Sequence, residues 1–258
     1  MLSFLKRGRH GLEILIGFFI AIAIAMTGVG AGTITAPMLI LFLHMPLNQA
    51  VGTALIFGAG VKIFAAPVYW FRKQVSGRIL ALLLAGGLPG VLVSSIWLTH
   101  IDTRRYQGML FGLLGSMVAL IALKTLFDFR ATPQAARDHT RILPLIALPI
   151  GLEVGFSSAG AGALGTSALL LLTSLTPAQV VGTDLFFGLG LSLVGGGVHF
   201  AYGDYHMATM IKLLIGGIAG AVVGANTATL MPSKWMKFGL AVWLVYLGGQ
   251  LIYRGIAQ

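Results

Sequence analysis

The chain contains no cysteine, which removes disulfide frameworks, thiolate metal ligation and thiol nucleophiles from consideration. Charge is nearly as scarce. Asp, Glu, Lys and Arg make up 9% of the 258 residues, against roughly a quarter of an ordinary soluble domain. A water-facing surface cannot be assembled from so few charges when 57% of the residues are hydrophobic. The mean hydropathy of +0.92 is spread along the whole length rather than held in one anchor. The expected fold is therefore an all-α polytopic protein, multi-pass in the cell (inner) membrane, with the lipid bilayer as its surroundings. Crossing a hydrocarbon core about 30 Å thick takes roughly 20 apolar helical residues. At most about ten segments fit, and no room remains for a soluble catalytic domain.

No His/Glu spacing suits a metal site, and no cofactor is expected. Lys and Arg number 17 against 7 Asp and Glu, yet the cations lie mostly between apolar runs, where they meet headgroups and set orientation. No basic, aromatic-interleaved stripe points to nucleic acid. Counting passes puts Arg72, Lys73, Arg78, Arg130, Arg137, Arg141, Lys234 and Lys237 on one side, and Lys6, Arg7, Arg9, Arg104, Arg105 and Arg254 on the other. The first side is richer, the basic N-terminus opposes it, and membrane orientation stays open. The run after Arg9 imitates a signal peptide but passes into a Gly-rich stretch without an A-x-A site, so it is read as retained.

One offset organises what is present. Gly30-Ala31-Gly32 returns as Gly160-Ala161-Gly162, and 160 − 30 = 130. Gln49, Val51, Gly52, Thr53, Leu55, Phe57, Gly58 and Gly60 return at the same offset, as do Gly86, Gly87 and Gly90. Five apolar runs fall in each copy, giving a first repeat over 1–126, a polar linker over 127–141 and a second repeat over 142–258. An odd number of passes inverts the second copy relative to the first, as in many secondary transporters. The first two runs of each copy are short and split by glycine, so each repeat is expected to open with a broken or dipping helical hairpin. Such backbone is tolerated at membrane depth only inside protein or beside a polar cavity.

The residues able to carry chemistry follow from those breaks. At the two turns Gly28, Gly30, Gly32, Gly160 and Gly162 let backbone approach a ligand, and N–H groups at a restarting helix make a site for an anion. Thr27, Thr33, Ser157 and Ser158 add hydroxyl donors. The alternative for glycine is close helix packing, favoured for Gly86/Gly90 and Gly216/Gly220. A duplicated Gln-x-Val-Gly-Thr, at Gln49 to Thr53 and Gln179 to Thr183, opens the third run of each copy, where it either caps the helix or also faces the hairpin.

Ionisable groups at membrane depth are costly and point to function. Lys62, Glu153, Asp184 and Lys212 qualify, whereas His199 and His206 are placed at the interface. Lys62 offers attraction for an anion, snorkelling being the alternative. Asp184 stands where the first copy has Ala54, and with Glu153 it is a candidate for coupling to H⁺ or Na⁺. Pairing with Lys62 or Lys212 is the other reading.

At these residues the chain resembles the TauE/SafE family of membrane permeases, associated with sulfite and organosulfonate export. The likeness covers nearly the whole chain through the duplicated Gly-rich turn, the Gly-Thr helix start and the Gly-Gly-x-x-Gly at Gly86 and Gly216. It departs in having Gly-Ala-Gly for a triple glycine and Gly-Thr-Ala or Gly-Thr-Asp for Gly-Thr-Ser. The resemblance implies inverted repeats whose hairpins bind a small sulfur-containing or carboxylate anion. The expected function is a secondary transporter, an exporter of sulfite, an organosulfonate or a related anion by alternating access, and not an enzyme. An intramembrane enzyme acting on a lipid phosphate and a passive anion channel are the competing readings. Oligomeric state is left open.

Overall fold

The computed structural model describes residues 13–24, 31–102, 105–128, 139–227 and 233–256. Among these residues there are ten α-helices and no strand. The first five are α1 (Glu13–Ile24), α2 (Ala31–Leu43), α3 (Leu47–Phe71), α4 (Gly77–His100) and α5 (Gln107–Asp128). The second five are α6 (Leu143–Ser157), α7 (Thr166–Leu172), α8 (Pro177–Ala201), α9 (Met207–Thr227) and α10 (Ser233–Ile256). The chain is thus an all-helical membrane protein, as expected of apolar segments that must satisfy their backbone groups internally in lipid.

Five segments are long and apolar enough to cross a membrane: Leu47–Phe71, Gly77–His100, Gln107–Lys124, Thr140–Ser157 and Pro177–Ala201. By contrast α1, α2 and the segment Ala161–Leu172 are shorter apolar helices, each spanning about 18–20 Å at 1.5 Å per residue. The second break is visible in detail. Helix α6 stops where Ser158 turns left-handed at φ 60°, Gly160 follows at φ 88°, and a π-turn over Ala161–Gly165 leads into α7. Gly160 is required there, because its φ excludes a side chain at low cost.

Helix α8 starts for a local reason. Thr176 Oγ1 accepts from Gln179 N, and Gln179 Oε1 accepts from Thr176 N at 3.1 Å, with Pro177 in the first turn. This reciprocal cap satisfies donors that a helix start leaves free.

Packing between the helices repeats with partners exchanged. A Cβ on Gly86 would meet the Pro144 carbonyl, and one on Gly216 the Ile14 carbonyl. Both pairs fit the offset, since 86 + 130 = 216 and 14 + 130 = 144. Gly90 against Leu148 and Gly220 against Phe18 repeat the pattern one turn on. These glycines let α4 pack closely on α6, and α9 on α1, as small residues four apart predict. At the centre α3 crosses α8: Gly52 abuts the Asp204 carbonyl and Gly182 the Gln74 carbonyl, with 74 + 130 = 204. Fully buried Phe57 and Phe187 fill equivalent places against Gly217 and Gly87.

The last helices reach across as well. Arg254 on α10 donates to the Ile40 and Leu41 carbonyls near the end of α2, and Lys124 on α5 donates to Ser167 Oγ of α7 at 2.6 Å. Again 124 + 130 = 254. A basic side chain of each copy thereby holds the second hairpin helix of the other.

Candidate functional site

Where α3 and α8 cross, the structure collects buried polar groups that lipid could not accommodate singly. Asp184, Gly188 and Ser192 recur every four residues and so share one face of α8. Lys62 of α3 lies across that face. Its Nζ donates to Ser192 Oγ at 3.2 Å, and a Cβ on Gly188 would come within 2.7 Å of the same nitrogen. Glycine at 188 therefore makes the space that the ammonium occupies. The Lys62 and Asp184 charges also feel one another electrostatically. Both side chains are buried, at 7% and 5% exposure, which fits two opposite charges better than either alone.

The second hairpin closes this cluster from one side. Thr166 Oγ1 donates to Asp184 Oδ2 at 2.9 Å, while Asp184 Oδ1 has no hydrogen-bond partner and lies where a Cβ of Gly165 would be. Ala161 of the π-turn also faces Gly188. Further back, Ser157 Oγ donates to Glu153 Oε1 at 3.1 Å and accepts from Ala159 N at 3.0 Å. Glu153 Oε2 sits against Gly160 without a hydrogen-bond partner. The turn is fixed to the first copy, since Ser158 Oγ donates to the Gly32 carbonyl at 3.3 Å.

Gly32, Lys62, Glu153, Ser157, Ser158, Gly160, Gly162 and Asp184 thus belong to one region, through the turn that carries 157–165. Thr27, Gly28 and Gly30 lie outside the described residues. The duplicated Gln-x-Val-Gly-Thr residues sit away from it. Thr53 Oγ1 accepts from His206 N at 3.1 Å, and Thr183 Oγ1 accepts from Ser76 N at 3.0 Å, each anchoring a loop of the other copy. Gln179 is engaged in the α8 cap. Gln49 lines a cleft of about 390 Å³ with His44, Asn48 and Gln107 at the outer end of α3.

His199 is fully buried within the protein, because the 202–206 loop folds back over the last turn of α8 and Gly52 lets α3 approach its ring. One pairing differs from expectation. Lys212 pairs with neither central carboxylate. It forms an ion pair with Glu13 of α1 at 2.5 Å, and Thr209 Oγ1 donates to Glu13 Oε1 at 3.0 Å. Sequence reading missed Thr166, Ser192 and Glu13. The offset itself could have found Ser192, since 62 + 130 = 192 places it opposite Lys62.

The model of the family described as "Sulfite exporter TauE/SafE" matches residues 13–251. The chain belongs to the TauE/SafE family. Among its relatives, the probable membrane transporter protein YjnA of Bacillus subtilis is 25% identical over 251 residues, covering 93% of this chain and 98% of that protein. A probable membrane transporter protein of Xylella fastidiosa strain Temecula1 is 31% identical over 250 residues, covering 88% and 89%. A second Bacillus subtilis protein, the probable membrane transporter YdhB, is 26% identical over 235 residues, covering 88% and 93%. No solved structure matches. TauE/SafE membership, with relatives named as transporters and not as enzymes, makes this a multi-pass membrane transporter.

Proposed function

We propose that this TauE/SafE protein is a secondary transporter exporting a small anion, of the sulfite, organosulfonate or related organic class, by alternating access of two inverted halves. The observation that carries the reading is the Lys62 ammonium, buried beside an unwound hairpin turn where the two copies meet. A cation held in lipid-depth protein, with Gly188 against its nitrogen and Ala161 of the turn facing that glycine, attracts an anion. Ser157, Ser158 and the backbone at Gly160 and Gly162 supply polar groups at the turn. By sequence, Thr27, Gly28, Gly30 and Gly32 are their counterparts at the offset of 130. Gln49, Thr53, Gln179 and Thr183 act at the helix starts, where the halves must slide over one another.

Inversion is supported by the exchanged contacts. When the packing contacts of one copy recur with partners swapped, interconverting the two halves' conformations opens the same site to the opposite side. The sulfite and organosulfonate class rests on the family description. Proteoliposomes loaded with labelled sulfite, sulfoacetate, taurine or acetate test the function directly. Saturable flux with counterflow is expected. No flux of any of these anions under any ion gradient sinks the reading, and non-saturating flux without counterflow would replace the carrier with a channel.

A further inference from the structure

The buried charges are distributed unequally between copies that otherwise match. Lys62 has Ser192 as its counterpart, and Asp184 has Ala54. The crossing of α3 and α8 therefore holds one amine, on Ser192, and one carboxyl, on Thr166, with a net charge of zero when both are ionised. Adding a monovalent anion beside Lys62 would leave that buried region at −1, which protein at membrane depth resists strongly. Something positive must enter with the anion, or a negative charge must be removed.

Asp184 can do this with a single proton. Its Oδ2 accepts from Thr166, its Oδ1 is buried without a hydrogen-bond partner, and Gly165 leaves no Cβ in front of that oxygen. We propose that Asp184 is an internal anion that substrate displaces from the Lys62 field, so that one proton binds Asp184 for each monovalent anion bound at Lys62. The inference rests on the anion site proposed above and adds its coupling ion and stoichiometry. Before binding, ammonium and carboxylate balance; afterwards ammonium and substrate balance and the carboxyl is neutral. No bond to carbon, sulfur or oxygen is made or broken other than the carboxyl O–H.

The neighbours favour this assignment. From α3 the charged group acting on Asp184 is Lys62, and from the hairpin the polar group is Thr166. Helix α4 carries Arg78 and His100 only at its exposed ends, and α7 has no ionisable side chain. Glu153 of α6 accepts from Ser157 through Oε1, and its Oε2 faces Gly160 without a hydrogen-bond partner.

The test is calorimetric titration of the purified full chain with ethanesulfonate, which stays anionic throughout, in two buffers of different ionisation enthalpy. Uptake of one proton per anion is expected, with affinity falling about tenfold per pH unit on the alkaline side. Asp184→Asn should bind with no proton uptake and no pH dependence, and Asp204→Asn, in the loop after α8, should still take up one proton. Binding without proton uptake by the unmutated protein overturns the proposal while leaving the anion site standing. So does affinity set by sodium instead of pH, or a folded Asp184→Asn protein that keeps the proton or no longer binds. If Asp184→Asn does not fold, the proton count of the unmutated protein decides alone. No binding of ethanesulfonate, acetate or chloride at any pH overturns the anion site itself, and the coupling with it.

Discussion

Lys62 and Ser192 occupy equivalent positions in the two copies, 192 − 62 = 130, and the Lys62 ammonium donates to the Ser192 hydroxyl at 3.2 Å. A residue meets its own counterpart only near an axis that exchanges the copies, so this hydrogen bond marks where the two copies meet. A charge placed there lies close to both copies, which is why the expected effects of substitution centre on it.

Lys62→Gln should abolish saturable anion flux and also destabilise the protein, because it leaves Asp184 buried without its counter-charge. Breaking one partner of a buried pair costs about 3–5 kcal/mol. Combining it with Asp184→Asn should recover most of that loss without restoring flux. Thermal unfolding of the four proteins of the cycle in detergent checks this; an additive double variant would show that the two charges are not coupled.

Gly160→Ala should destabilise the protein by more than the backbone cost alone, since its φ is 88° and the Glu153 carboxylate must move away from the new methyl. Gly203→Ala is the control. Its φ is 75° but open space surrounds it, so only the backbone cost of about 1 kcal/mol is expected. Expression level and unfolding temperature separate the two, and equal behaviour would deny the turn its tight packing.

Inversion can be read by chemical labelling because the chain has no native cysteine. Gly77→Cys and Met207→Cys sit at equivalent exposed helix starts, 77 + 130 = 207. An impermeant maleimide applied to intact cells or inverted vesicles should reach one from outside and the other from inside. Labelling of both from the same face would reject opposed halves.

Asp204 lies in the loop between α8 and α9, where burial pushes its carboxyl above the ordinary range and the hydrogen bond from Asn48 Nδ2 pulls it back. The folded state thus binds this proton more tightly than the unfolded chain. Stability contributed by Asp204 is then greatest at low pH and falls as pH rises from the unfolded value through the raised one, becoming flat beyond. Asp204→Asn keeps an acceptor for Asn48 and should remove that slope. Unfolding measured across the acidic range would show it, and an unchanged slope would assign the effect elsewhere.

Thr53→Val and Thr183→Val each remove the acceptor of a loop N–H, from His206 and Ser76 respectively. Because the contacts are counterparts, similar losses of about 1–3 kcal/mol are expected from both, and they should add, since the sites share no partner. A large inequality would mean that the two loops carry different loads.

The sequence by itself determined membrane residence, the helical class and the register of the copies. These follow from local quantities: apolar length, backbone satisfaction in lipid, and residue identity at a fixed offset. It also exposed Lys62, Glu153 and Asp184, because a charge inside an apolar run is conspicuous wherever it points. Only the tertiary structure decided what each one faces. Thr53 and Thr183 hold the other copy's loops, Lys212 joins Glu13, and His199 is enclosed, because each depends on which helices touch across more than a hundred residues of chain. The crossing of α3 and α8 set Lys62 over Gly188, and the π-turn brought Thr166 to Asp184. Periodicity fixes a face, but the partner of that face comes from packing.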